Sequence, residues 1–162
     1  LPEPQYPDWI EFFAGVKDVM HSISTLTPAD SAELDADREF VPAVLEACFP
    51  NQHLLGTVAD LEVLQQVLDG GPYTDSPEGE LVALGTALGD LLGEALDMKW
   101  VAFSDEHGRD LALRYGETSI LIFPRDLIIK RAEQGEEEIE IKEIFEGVIT
   151  AIRQLIDSGD YS

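Results

Sequence analysis

The chain has 162 residues, of which 33 are acidic and 10 basic, giving a formal net charge of −23. That length suits one domain with a real core, and a hydrophobic content of 44% separates it from disordered acidic tails. The charge excludes the basic footprint of a nucleic-acid binder and opposes binding to anionic lipid, and the single cysteine, Cys48, excludes an internal disulfide.

Residues 1–7 are proline-rich and read as an extended arm, 8–157 as a single α+β domain, and 158–162 as a frayed tail. Asp8 is placed to cap a helix along which Trp9, Phe12, Phe13, Val16, Met20 and Ile23 follow helical spacing. Thr27-Pro28 pairs a capping hydroxyl with a first-turn proline, and 29–49 reads as helical. Pro42 interrupts it, so one helix is expected to stop near Arg38 and another to begin at Pro42. Thr57, with Asp60 three residues on, predicts a capping box, and Val58, Leu61, Leu64, Val67 and Leu68 are expected to face the core. Gly70-Gly71-Pro72 closes that helix, and Ser76-Pro77 opens the next.

From Leu81 to Leu96 the chain reads LVALGTALGDLLGEAL, with Gly85, Gly89 and Gly93 four residues apart. On a helix they form one bare stripe flanked by Leu84, Leu88, Leu91, Leu92 and Leu96. Three interior glycines cost about 3 kcal/mol against alanine. That cost is most easily borne where a neighbouring segment must lie close to the backbone, although a ligand channel is a second reading.

The period then shortens. Lys99–Ser104 reads as a strand, Asp105–Gly108 as a turn, Arg109–Tyr115 as an alternating strand and Thr118–Phe123 as a third. The tight connections predict an antiparallel meander. Asp126 to Gln134 reads as a short helix. The acidic run of Glu136, Glu137, Glu138, Glu140, Glu143 and Glu146 leads into a last helix with Ile141, Ile144, Phe145, Val148, Ile149, Ile152, Leu155 and Ile156 on its apolar face.

Chemistry-bearing groups are few. Asp105, Glu106 and His107 are the densest set of potential ligands, but turn chemistry alone accounts for their residue types, and no paired-His or paired-Cys spacing supplies further donors. Cys48 and His53 have no helical register to aim one at the other, and a small buried thiol is the expected state of Cys48. No nucleophile elbow, phosphate loop or dinucleotide fingerprint occurs. Arg125, Lys130 and Arg131 concentrate three of the basic side chains near a strand end. They read either as internal ion pairs, with Glu133 or with Asp105 and Glu106, or as a site for an anionic ligand or a partner.

The string LGxxLGxxLGEAL, then Trp100, Asp105, Glu106 and Gly108, then ALRY, then FPxxxIxKRxExG from Phe123 to Gly135 resembles a bacterial domain family of unknown function over roughly 81–156. The resemblance implies an α+β domain and a bacterial source, and it transfers no reaction, cofactor or catalytic residue.

The fold expected is α+β: N-terminal helices and a glycine-striped central helix packed with a three-stranded antiparallel meander and a C-terminal helix. The function expected is that of a non-catalytic protein-interaction module, with an acidic surface for a basic protein partner, in its narrower form an immunity or inhibitor protein. No cofactor and no metal are expected. The alternative is a small-molecule binder or hydrolase with a pocket near the sheet rim, where the low-specificity site set is Arg125, Lys130, Arg131, Asp105, Glu106 and His107. No apolar run approaches a membrane span and no signal-peptide pattern opens the chain, so the compartment expected is the cytoplasm; Leu1 in place of methionine is compatible with a removed leader.

Overall fold

The computed structural model describes residues 10–12, 21–70, 77–106, 108–136 and 138–159. In chain order the elements are β1 (Ile10–Phe12), β2 (His21–Ser24), α1 (Pro28–Arg38), α2 (Phe40–Cys48), α3 (Asp60–Gly70), α4 (Glu78–Leu96), β3 (Met98–Asp105), β4 (Gly108–Tyr115), β5 (Ile120–Ile122), α5 (Pro124–Glu133) and α6 (Ile141–Ser158). The fold class is α+β. The strands form one antiparallel sheet in the order β1-β5-β4-β3-β2.

Strand alternation sorts the sheet into two faces. Met98, Leu113, Ile120 and Ile122 join the main core with the buried sides of α2 to α6. Phe103, Ala112 and Leu121 lie at the opposite parity and form a second cluster with Ile23, Val101 and Phe123. At the heart of the main core Leu84, Leu88 and Leu92 of α4 are completely buried. Each such side chain contributes about 1.5–3 kcal/mol relative to exposure.

The glycine stripe of α4 is where α5 and the sheet come closest. A Cβ on Gly85 would lie 2.9 Å from Arg125 Cα, and one on Gly89 would lie 2.7 Å from both Pro124 Cβ and Trp100 Cζ2. A Cβ on Gly93 would lie 3.0 Å from the Met98 carbonyl oxygen. The bare backbone is therefore filled by the protein's own chain, not by a ligand channel. The helix ends at Asp97, whose φ of 56° is the left-handed conformation that Asp adopts more readily than most residues.

Several expectations need correction. The meander β3-β4-β5 forms, but the sheet has five strands, because β1 pairs with β5 and β2 with β3. The helix expected from Asp8 to Ile23 is strand at both described ends, Ile10–Phe12 and His21–Ser24. The arm 1–7, Asp8, Trp9, Phe13, Val16 and Met20 lie outside the described residues, as do Gly71-Pro72, Ser76, Glu137 and tail residues 160–162. The break near Arg38 is present, with Glu39 serving as the end of α1 and the start of α2. Pro42 sits in the first turn of α2, where its missing N–H has no intrahelical partner to lose. Pro77 is the residue before α4, not within its first turn. The Thr57–Asp60 capping box does not form, since Asp60 accepts from Leu55 and Gly56 instead. Val58 is exposed, and so is Cys48.

Candidate functional site

Helix α1 supplies the first polar arrangement. Asp30, Glu33 and Asp37 lie three and four residues apart, so they share one face. Thr27 and Asp30 form a capping box: Asp30 N–H donates to Thr27 Oγ1 at 3.1 Å, and Thr27 N–H to Asp30 Oδ2 at 2.8 Å. Arg109 of β4 donates from both terminal nitrogens to the same carboxylate. The Arg109 hydrogen bonds, followed by the Thr27 amide, hold the Asp30 carboxyl well below the ordinary carboxylate range.

The next positions of that face meet α4 and α5. Arg125 Nε donates to Asp37 Oδ2 at 3.0 Å, and the buried Thr86 hydroxyl donates to the same oxygen at 2.6 Å. Arg125 Nη1 is 3.5 Å from Glu33 Oε2. Beside them, Arg38 grips Asp90 through Nε at 2.8 Å and Nη2 at 2.9 Å, while Trp100 Nε1 donates to Asp90 Oδ1 at 3.0 Å. These contacts lock α1 across α4, α5 and the sheet. By accepting from the indole N–H, Asp90 also orients the Trp100 ring that lies over Gly89.

The residues singled out from sequence separate on this frame. The partners of Arg125 are Asp37 and Glu33 of α1, not Glu133 or the Asp105–Glu106 turn that the sequence suggested. Lys130 is half exposed and 4.0 Å from Asp126, and Arg131 Nη1 is 3.5 Å from Glu136. Arg131 Nε is buried without a hydrogen-bond partner. Asp105 ends β3 opposite Gly108, and Glu106 is exposed in the turn. His107 lies outside the described residues. The charges of Arg125 and Lys130 act on Asp110 of β4, together with that of Asp126. Burial raises the Asp110 carboxyl above its usual value, and the neighbouring Asp126 adds to that. Sequence reading passed over Asp110 because it occupies the outward parity of an alternating strand. Among the described residues no three His, Cys, Asp or Glu side chains converge as metal ligands.

A different place in the fold leaves large apolar side chains in solvent. Between α2 and α3, Leu54, Leu55 and Val58 are 37%, 70% and 61% exposed. Asp60, only 3% exposed, accepts from the backbone N–H of Leu55 and of Gly56, each at 2.8 Å. Gly56 has a φ of 77°, which suits glycine. One buried carboxylate thus clamps the loop that holds the leucines in solvent. Beside it a concavity of about 370 Å³ is lined by Pro42, Leu45, Glu46, Pro50, His53 and Leu54. A larger groove of about 700 Å³ opens at the other ends of β3 and β4, with Lys99, Trp100, Arg114 and Tyr115 in its wall. No described helix is long and apolar enough to cross a membrane.

A family described as "Domain of unknown function (DUF3806)" matches residues 60–145, from the start of α3 into the first turns of α6. No curated protein matches the chain. A crystal structure of a protein from Bacteroides thetaiotaomicron VPI-5482 shares the fold, with a TM-score of 0.70 at 20% identity. The similarity covers 80% of this chain and 47% of that one, so this chain spans about half the length of its structural relative.

Proposed function

The chain belongs to the DUF3806 family of domains of unknown function, and from that premise we propose that it is a protein-interaction module whose contact surface is the loop from Leu54 to Val58. The observation that carries this reading is the Asp60 clamp. A buried carboxylate is expensive unless it is hydrogen-bonded, and Asp60 spends its two oxygens fixing a loop whose side chains are apolar and exposed. Fixing the loop in advance lowers the ordering cost that association would otherwise incur. Covering Leu55 or Val58 completely would contribute about 1.5–3 kcal/mol each.

The partner is basic around an apolar centre. Arg38, Arg109, Arg125, Lys130 and Arg131 each lie within ion-pair distance of an acid of the same chain. Pairs of that kind cancel internally, so the net charge of −23 is carried by the acids left over, and it steers positively charged surfaces toward the molecule. An inhibitor or immunity protein for a basic toxin is one form of such a module.

The test is affinity capture from a lysate of the source organism, with the wild-type domain and Leu55→Glu compared at low and moderate salt. A basic protein held by the wild type and lost from the variant supports the reading. Identical captured sets for the two baits contradict it.

A further inference from the structure

We infer that the face formed by α2 and the 50–58 loop receives an amphipathic, basic helix of a partner protein. This rests on the interaction reading above and names the form of what that surface meets. From Phe40 to Ala59 the chain carries a single charged side chain, Glu46, although charged residues make up 27% of the whole. So neutral a stretch suits an interior, yet much of it lies in solvent. In α2, Val41, Val44 and Leu45 are buried. Pro42, Ala43, Glu46 and Ala47 share the opposite face at helical spacing, and all four are exposed. A helix that is mostly apolar on both sides is one that is covered on both.

The shape favours a helix over an extended segment. The concavity of about 370 Å³ has Pro42, Leu45 and Glu46 of α2 on one side and Pro50, His53 and Leu54 of the loop on the other. It has room for a large apolar side chain. Ala43 and Ala47 present only methyl groups, so a second helix can lie close along α2. The loop has few backbone donors left to offer. Leu55 and Gly56 donate to Asp60, Gln52 to the Phe49 carbonyl oxygen, and Phe49 to that of Leu45. An extended peptide needs such donors, whereas a helix brings its own backbone already paired and docks through its side chains.

The charge selects the partner. Glu46 stands in the wall of the concavity, Glu39 is exposed at the start of α2, one turn before Ala43, and Glu62 is exposed in the first turn of α3. None of the three lies within 4.0 Å of a basic side chain among the described residues. Acids thus flank an apolar centre, and lysines or arginines beside the apolar stripe of a helix complement that arrangement. A second copy of this chain would bring the same acids against them and be repelled.

The experiment is a titration of the whole chain with a short synthetic peptide of leucine and lysine whose leucines recur at helical spacing, followed by backbone amide NMR. One control peptide has the same composition with the two residues alternating, and another replaces lysine by glutamate. The expected result is saturable shifts gathered within residues 42–58, produced by neither control. Leu55→Gln in the loop and Ala47→Gln on α2 change no charge, and each should weaken binding about tenfold or more, the cost of desolvating an unpaired amide. Weakening by Leu55→Gln but not by Ala47→Gln would overturn the helix groove and leave the loop reading standing. Weakening by neither, equal shifts with either control, or no saturable shift would also overturn the inference, while the lysate capture decides the loop reading separately. A dimer in sedimentation equilibrium that Ala47→Gln dissolves would assign the face to a second copy and overturn it too.

Discussion

Pro124 rests on the bare backbone of Gly89: a Cβ built there would fall 2.7 Å from Pro124 Cβ and 2.7 Å from Trp100 Cζ2. The same seam passes Gly85, where backbone atoms of α5 take the place a side chain would need. Closeness of this kind explains why a helix at the centre of the core carries three glycines. They weaken the helix and allow α5 to lie against it.

Glycines on α4 and α6 should therefore respond in opposite directions. Gly85→Ala brings a methyl against the backbone of α5, which cannot yield as a side chain can, and is expected to cost about 1–3 kcal/mol. Gly147→Ala has nothing within 4 Å of the new methyl, and is expected to stabilise by about 0.5–1 kcal/mol through helix propensity. Chemical denaturation of the two variants checks both signs. Equal effects would mean that the seam is looser than described.

The α1 face gives a second prediction. Asp37→Ala leaves Arg125 Nε and the buried Thr86 hydroxyl without their shared acceptor. A loss of about 1–3 kcal/mol is expected, typical of stranding partly buried polar groups. Thr86→Val with Asp37→Ala should lose less than the sum of the single changes, because the two groups share one hydrogen bond. A double-mutant cycle by urea unfolding measures that coupling.

Acid titration separates two carboxylates with opposite signs. The Asp30 carboxyl is held low by Arg109 and the Thr27 amide, so its stabilising contribution is complete above the unfolded value of about 4 and is lost as pH falls through the folded value. Asp30→Asn should be less stable than wild type at neutral pH, and the difference should shrink on acidification. The Asp110 carboxyl is raised by burial, so its ionisation opposes folding as pH rises above the unfolded value. Asp110→Asn should be more stable than wild type at neutral pH, with the gain fading below about pH 4. Melting temperatures across pH 3–7, read as differences from wild type, check both.

The elements legible in the sequence were those with several periods to read. The stripe of α4, the apolar face of α6 and the meander β3-β4-β5 each repeat their pattern often enough to be recognised. The edge strands β1 and β2 span only three and four residues, so they barely complete one alternation. Phe12 and Ile23 fit helical spacing with neighbours outside those strands, and periodicity could not separate the two readings. Asp60 was legible as a capping residue by its spacing from Thr57. Its actual task depends on where Leu55 and Gly56 return in space, and local spacing does not encode that. The partners of Arg125 were hidden for the same reason, since Asp37 lies 88 residues away along the chain.

The claim that most of the functional account depends on is that the leucine loop is held ready by Asp60. Hydrogen exchange of the Leu55 and Gly56 amides measures it directly. The account predicts slow exchange at both positions, approaching that of the α3 interior, and a loss of protection in Asp60→Ala under conditions where the rest of α3 stays protected. Exchange at the rate of an open loop in the wild-type protein would contradict it.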